Sequence, residues 1–83
     1  MPIWLIYSME LDKKEVCMRV GTNVRELRLK KGLTIEKLAS EANMEYTQLS
    51  RIELGQINTS LYQIYKIANA LSVKMTDLVK ISA

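Results

Sequence analysis

Residues 34–53 read Thr34-Ile35-Glu36-Lys37-Leu38-Ala39-Ser40-Glu41-Ala42-Asn43-Met44-Glu45-Tyr46-Thr47-Gln48-Leu49-Ser50-Arg51-Ile52-Glu53, two short helical segments joined by a brief turn. Thr34 is placed to cap a helix over about 35–42, because a threonine oxygen accepts from an unpaired N–H of the first helical turn. Leu38, Ala39 and Ala42 supply the inner face of that helix. Asn43 tolerates a positive φ better than most residues and suits a tight turn. A second helix is expected over about 45–54, with Leu49 and Ile52 turned inward and Gly55 ending it. The small Ala39 lets the second helix cross closely over the first, with Leu38, Ala42, Leu49 and Ile52 meeting in the crossing.

The outer face of that second helix carries the chemistry. At about 100° per residue, Tyr46, Thr47, Ser50 and Arg51 group away from Leu49 and Ile52, with Gln48 at the flank. These side chains are rich in donors and include a planar guanidinium. Such groups read base edges in the major groove: arginine pairs with guanine, glutamine with adenine, and threonine or an aromatic ring touches the thymine methyl. The same spacing also fits a helical bundle with an ordinary solvated face.

The pattern stays helical on either side. A first helix is expected from about residue 18 or 22 to 31, with Val20, Val24 and Leu27 forming one stripe. Lys30 and Lys31 before Gly32 make a helix stop, with cations near the negative end and a glycine free to turn left-handed. Ser60 caps a fourth helix over about 60–71, whose stripe is Leu61, Ile64, Ile67, Ala68 and Leu71. A short fifth helix is expected over about 75–81. Five short helices with brief connections make a compact all-α domain, placed at residues 18–83. Residues 1–17 are set apart as an N-terminal arm. Within it Ile3, Trp4, Leu5, Ile6 and Tyr7 form an apolar run, compatible with a strand or a helical turn, that is expected to pack on its own domain or on a partner chain. Met9 and Met18 are alternative positions for a native start.

The bulk properties agree with one small domain. The chain has 83 residues, 48% hydrophobic and 25% charged, with a formal net charge of +3. A core of this size is modest, and such domains often gain stability by dimerising. The basic residues Arg19, Arg25, Arg28, Lys30 and Lys31 stand against only Glu26 in the same stretch, which suits either a solvated face or contact with phosphates. With one cysteine, Cys17, and no histidine, a Cys/His zinc site and a histidine-based catalytic triad are excluded. No carboxylate pair or glycine-rich loop stands out either. The expectation is a protein that is not an enzyme and uses no cofactor or metal. No apolar run approaches the roughly 18–20 residues that span a bilayer, so a cytoplasmic location and no membrane partner are expected.

Residues 20–81 resemble the phage-repressor and Cro-like, or XRE-type, helix-turn-helix family. The resemblance rests on Val24 and Arg28 leading to Gly32-Leu33-Thr34, then Leu38-Ala39, Leu49-Ser50-Arg51-Ile52-Glu53 with Gly55, Asn58 with Ser60-Leu61, and Ile67-Ala68 with Ala70-Leu71 and Val73. It implies a transcriptional regulator that binds double-stranded DNA as a homodimer on a palindromic operator. Helix 45–54 would then be the recognition helix, with Tyr46, Thr47, Gln48, Ser50 and Arg51 at the bases. Phosphates would be held at Thr34 and Ile35 and by Gln56, Asn58 and Thr59, through helix N-termini and exposed backbone N–H groups. The resemblance also implies an ion pair between Arg28 and Glu53, and a dimer face on the last helices from Tyr62, Tyr65, Met75, Val79 and Ile81.

Three departures from the family pattern qualify these implications. Ile35 stands where a phosphate-bonding glutamine is common, leaving only its backbone. Glu45 is acidic at the start of the recognition helix, where it either caps the helix or accepts from a cytosine amine. Loop 56–59 lacks Lys and Arg. A phage-type repressor or a controller of a restriction-modification system fits the pattern, as does an antitoxin that binds operator DNA and a toxin protein. A pure protein-interaction bundle is the third class, and RNA polymerase is a further partner if the protein activates transcription.

Overall fold

The structure, a computed structural model, describes residues 11–81. The apolar run at residues 3–7 lies outside them. Five helices follow in order, α1 Lys13–Lys30, α2 Ile35–Glu41, α3 Tyr46–Glu53, α4 Leu61–Leu71 and α5 Met75–Leu78, and there is no strand among the described residues. Helix α1 packs on α3, α4 and α5, while α2 packs on α3 and α4, and α4 on α5.

The first helix starts upstream of the expected 18 or 22, so the boundary drawn at 17/18 falls inside it. The cause is Asp12, whose Oδ1 accepts from the Glu15 N–H at 2.8 Å. An aspartate with a glutamate three residues on is a helix-start pattern. Thr34 and Ser60 cap α2 and α4 in the same way, accepting from Lys37 N–H and Gln63 N–H at 3.1 Å each.

The first four helices end alike. Gly32, Asn43, Gly55 and Ser72 all have positive φ. After each, the next N–H reaches back five residues: Leu33 to Arg28, Met44 to Ala39, Gln56 to Arg51 and Val73 to Ala68. This arrangement satisfies carbonyls that the helix leaves open. The first three turns were legible in Gly, Asn and Gly. Ser72 carries no such signal.

Helix α5 is shorter than expected. Asn23 of α1 donates through Nδ2 to the carbonyls of Leu78 at 2.9 Å and Lys80 at 3.0 Å, holding the chain beyond α5 against α1. The core gathers Val24, Leu38, Ala39, Ala42, Leu49, Ile52, Ile64, Ile67, Ala68, Leu71 and Leu78, with Val20, Leu27 and Met75 partly buried against it. Leu61 departs from the expected stripe. It is 73% exposed and lines an open apolar groove with Val16, Cys17, Val20, Ile57 and Val79.

Two features seat α3 on α1. At Gly21 the backbones meet: a Cβ there would collide with the Ile52 carbonyl and lie 2.6 Å from that of Glu53. Two turns further along, Arg28 forms a two-pronged pair with Glu53, Nε to Oε2 at 2.7 Å and Nη2 to Oε1 at 3.0 Å. Its Nη1 donates to the Leu33 carbonyl at 2.8 Å. Both side chains are nearly buried, at 9% and 3% exposure. The hydrogen bonds to Glu53, aided by its negative charge, raise the Arg28 pKa against the opposing effect of burial. The guanidinium therefore stays charged across the range in which the protein is folded. A carboxylate in the last turn of α3 would otherwise face the negative end of its own helix.

Two outcomes follow for stability. Gly21→Ala must push α1 off α3, costing about 3 kcal/mol as backbone overpacking and lowering Tm by more than about 10 °C. A thermal transition within a degree or two of wild type would contradict the contact. Glu53→Leu strands a buried guanidinium and should cost about 3–5 kcal/mol, as Arg28→Met strands the carboxylate, whereas the double change Arg28→Met with Glu53→Leu should cost less than either single change. Urea unfolding of the four proteins tests this, and strictly additive losses would contradict the pairing.

Candidate nucleic-acid interface

Helix α3 has two unlike faces. Leu49, Ile52 and Glu53 are buried. Tyr46, Thr47 and Arg51 are exposed, with Tyr46 at 51%, while Gln48 and Ser50 are half-buried at the margins. The structure thus brings the base-reading candidates together on one outward surface, with Gln48 and Ser50 at its margins. The helix is only eight residues long and would not hold its shape alone. Its seat comes from α1 through Gly21 and the Arg28–Glu53 pair, and from α2 through the shared core.

The start of α3 corrects one expectation. Glu45 is the N-cap residue but makes no side-chain capping bond. Its carboxylate is exposed, and the first-turn N–H groups of α3 have no side-chain cap. The turn before it is held differently. Asn43 takes φ 54°, and its carbonyl accepts from Lys66 Nζ of α4 at 3.0 Å. The same ammonium lies 5.5 Å from the centre of the Tyr62 ring.

The phosphate candidates divide. Thr34 Oγ1 accepts from Lys37 N–H, which leaves its own O–H to donate from an exposed position, whereas the Ile35 side chain packs on the core and offers only its backbone N–H. Gln56 and Asn58 are exposed. Thr59 Oγ1 is buried with no hydrogen-bond partner among the described residues, which removes its hydroxyl as a surface contact. Arg25, Lys30 and Lys31 are exposed along α1, whereas Arg28 is used internally.

The proposed dimer face also divides. Tyr62 and Tyr65 are 66% and 50% exposed, their rings stacked with centroids 6.2 Å apart. Val79 and Ile81 are 40% and 36% exposed, while Met75 packs against its own core. Gly21, Asn23 and Lys66 were not singled out in the sequence. A glycine inside a strong helical pattern signals a close backbone approach, and that was the available clue for Gly21. Among the described residues no group of three or more His, Cys, Asp or Glu could hold a metal ion, and no helix is long and apolar enough to cross a membrane.

The comparisons with known proteins meet this geometry. The helix-turn-helix family matches residues 24–78, from the middle of α1 to the end of α5. The control protein C.BamHI of Bacillus amyloliquefaciens is 46% identical over 59 residues, covering 70% of this chain and 73% of that protein. An HTH-type transcriptional regulator of Sinorhizobium fredii is 37% identical over 60 residues, covering 72% of this chain and 78% of that protein. Among solved structures, the restriction-modification controller protein C.AhdI from Aeromonas hydrophila superposes with a TM-score of 0.73 at 37% identity, covering 75% of this chain and 94% of that one. With its two crossed helices, a polar outward face on the second, and relatives of this similarity, the chain belongs to the XRE-type helix-turn-helix family of DNA-binding transcriptional regulators.

Proposed function

We propose that the protein is a homodimeric, sequence-specific regulator that reads a palindromic operator with α3 in the major groove, and that it controls a restriction-modification system. The observation that carries this reading is the division of α3 into a buried half fixed to α1 and an exposed half of Tyr46, Thr47 and Arg51 flanked by Gln48. Arg51 is the group with the geometry for two-pronged pairing to guanine; Gln48 and Thr47 suit adenine and the thymine methyl. Backbone N–H groups at the start of α2, with Gln56 and Asn58, supply phosphate contacts that set the register without reading sequence. No catalytic role and no cofactor enter this reading, and its place of work is the cytoplasm. The controller role is supported by C.BamHI, a control protein, and by C.AhdI, a restriction-modification controller.

Dimerisation completes the reading. The exposed apolar side chains Leu61, Tyr62, Tyr65, Val79 and Ile81 belong to α4 and the segment after α5. Aromatic side chains of this kind are common in subunit contacts. A two-fold pair would set two α3 helices roughly 34–36 Å apart, one turn of DNA.

Two measurements test the proposal. Fluorescence anisotropy with the duplex upstream of the protein's own gene, against a shuffled duplex, should show preference for the former. Arg51→Ala should cut that preference by about 1–3 kcal/mol, or roughly ten- to a hundredfold. Weak and equal binding to both duplexes would contradict base reading and turn the search to a protein partner such as a toxin. Light scattering at low micromolar concentration should give twice the chain mass, and Tyr62→Glu with Tyr65→Glu should halve it. A single-chain mass for the wild type would contradict the dimer.

A further inference from the structure

We propose that Lys66 is a positioning residue for base reading: from α4 it fixes the turn between α2 and α3, and thereby the angle at which α3 meets DNA. The inference rests on the proposed role of α3. Three observations carry it. Lys66 Nζ donates to the Asn43 carbonyl at 3.0 Å, across 23 positions of sequence. Asn43 is the left-handed residue of the turn, with φ 54°, so its peptide sets the direction in which the chain enters α3. The ammonium also lies over the Tyr62 ring, and Tyr62 stacks on Tyr65, which gives the lysine a second contact.

The backbone bonds of Asn43 N–H to Ser40 and Met44 N–H to Ala39 tie this turn to α2, and Lys66 adds a tie from α4. Glu45 makes no capping bond. The α1 contacts act on the far end of the helix, at Ile52, Glu53 and Gly55. The near end borders a hollow lined by Asn43, Met44, Glu45, Gln48 and, from α4, Gln63. Lys66 is thus a tie from α4 to the base-reading end of α3. An ammonium donating to a carbonyl gives a stronger bond than a neutral donor, and a cation over an aromatic face is attracted to the ring. Losing the lysine loosens the turn, which keeps its backbone bonds to α2, while leaving the apolar core whole.

The test compares wild type, Lys66→Met and Lys66→Arg on the duplex upstream of the gene and on its shuffled counterpart, at several salt concentrations. Amide hydrogen exchange is followed at Met44 and Leu49, whose N–H groups donate to the Ala39 and Glu45 carbonyls. Lys66→Met should speed exchange at these two amides and leave Val24 in α1 unchanged. It should weaken binding to the upstream duplex about tenfold, as for one charge-assisted hydrogen bond, with binding to the shuffled duplex within about twofold and the salt slope unaltered. Lys66→Arg should restore both readouts.

Unchanged exchange at Met44 and Leu49 overturns the inference whatever happens on DNA. Faster exchange with undiminished preference overturns the claim that the tie serves base reading. An equal loss on both duplexes, with a salt slope shallower by about 0.9, makes Lys66 a phosphate contact and also overturns it. If the wild type shows no preference at all, base reading by α3 fails, and exchange still decides whether Lys66 holds the turn.

Discussion

The bond between Arg28 and Glu53 is the constraint on which the rest of the molecule depends. It joins the last turn of α1 to the last turn of α3, and a third donor from the same guanidinium holds the Leu33 carbonyl between α1 and α2. Helix α3 is too short to be stable by itself, and its polar face must remain uncovered to be of use. Only one half of it is available for packing. A buried ion pair adds directional bonds to that half, where apolar contact alone would allow the helix to roll. Burial normally makes such a pair expensive. Here the fork geometry, the carbonyl of Leu33 and the mutual charge offset that cost, and Arg28 holds its proton more tightly as a result.

Much of this was legible in the residues. The α2–α3 crossing, the caps at Thr34 and Ser60, the turns at Gly32, Asn43 and Gly55, and the exposed positions 46, 47 and 51 all follow from period and local chemistry. What escaped depends on contacts between distant segments. Gly21 and Asn23 sit inside a continuous helical pattern, and their roles come from carbonyls at 52, 53, 78 and 80. Leu61 obeys the period of α4, yet period cannot tell whether another element covers that end of the stripe. Thr59 looked like a loop hydroxyl but turns inward. Asp12 is a different kind of miss: its cap pattern was local and readable, but the polar stretch around it resembled an arm.

Charge is used sparingly on the outward face of α3. Half of the twelve basic residues lie on α1, whereas α3 carries Arg51 as its one cation and Glu45 stands exposed at its start. Non-specific attraction to DNA comes from phosphates and cations, and a surface with few cations leaves more of the binding to groups that distinguish one base from another. A second α3 from a partner copy would then contribute through the number of bases read as well as through charge.

The close approach at Gly21 bears on how the protein and its binding site can accommodate one another. Where two helices are separated by side chains, rotamer changes let them slide by fractions of an ångström. Between α1 and α3 no side chain intervenes at that point; main chain rests on main chain, and neither side can give. Helix α3 is therefore mounted like a tooth on a rigid jaw. When such a mount meets a duplex whose groove width or curvature does not suit it, the adjustment falls on the nucleic acid. With α3 in the groove as proposed, base steps that it never touches would acquire a say in affinity through how readily they bend or twist.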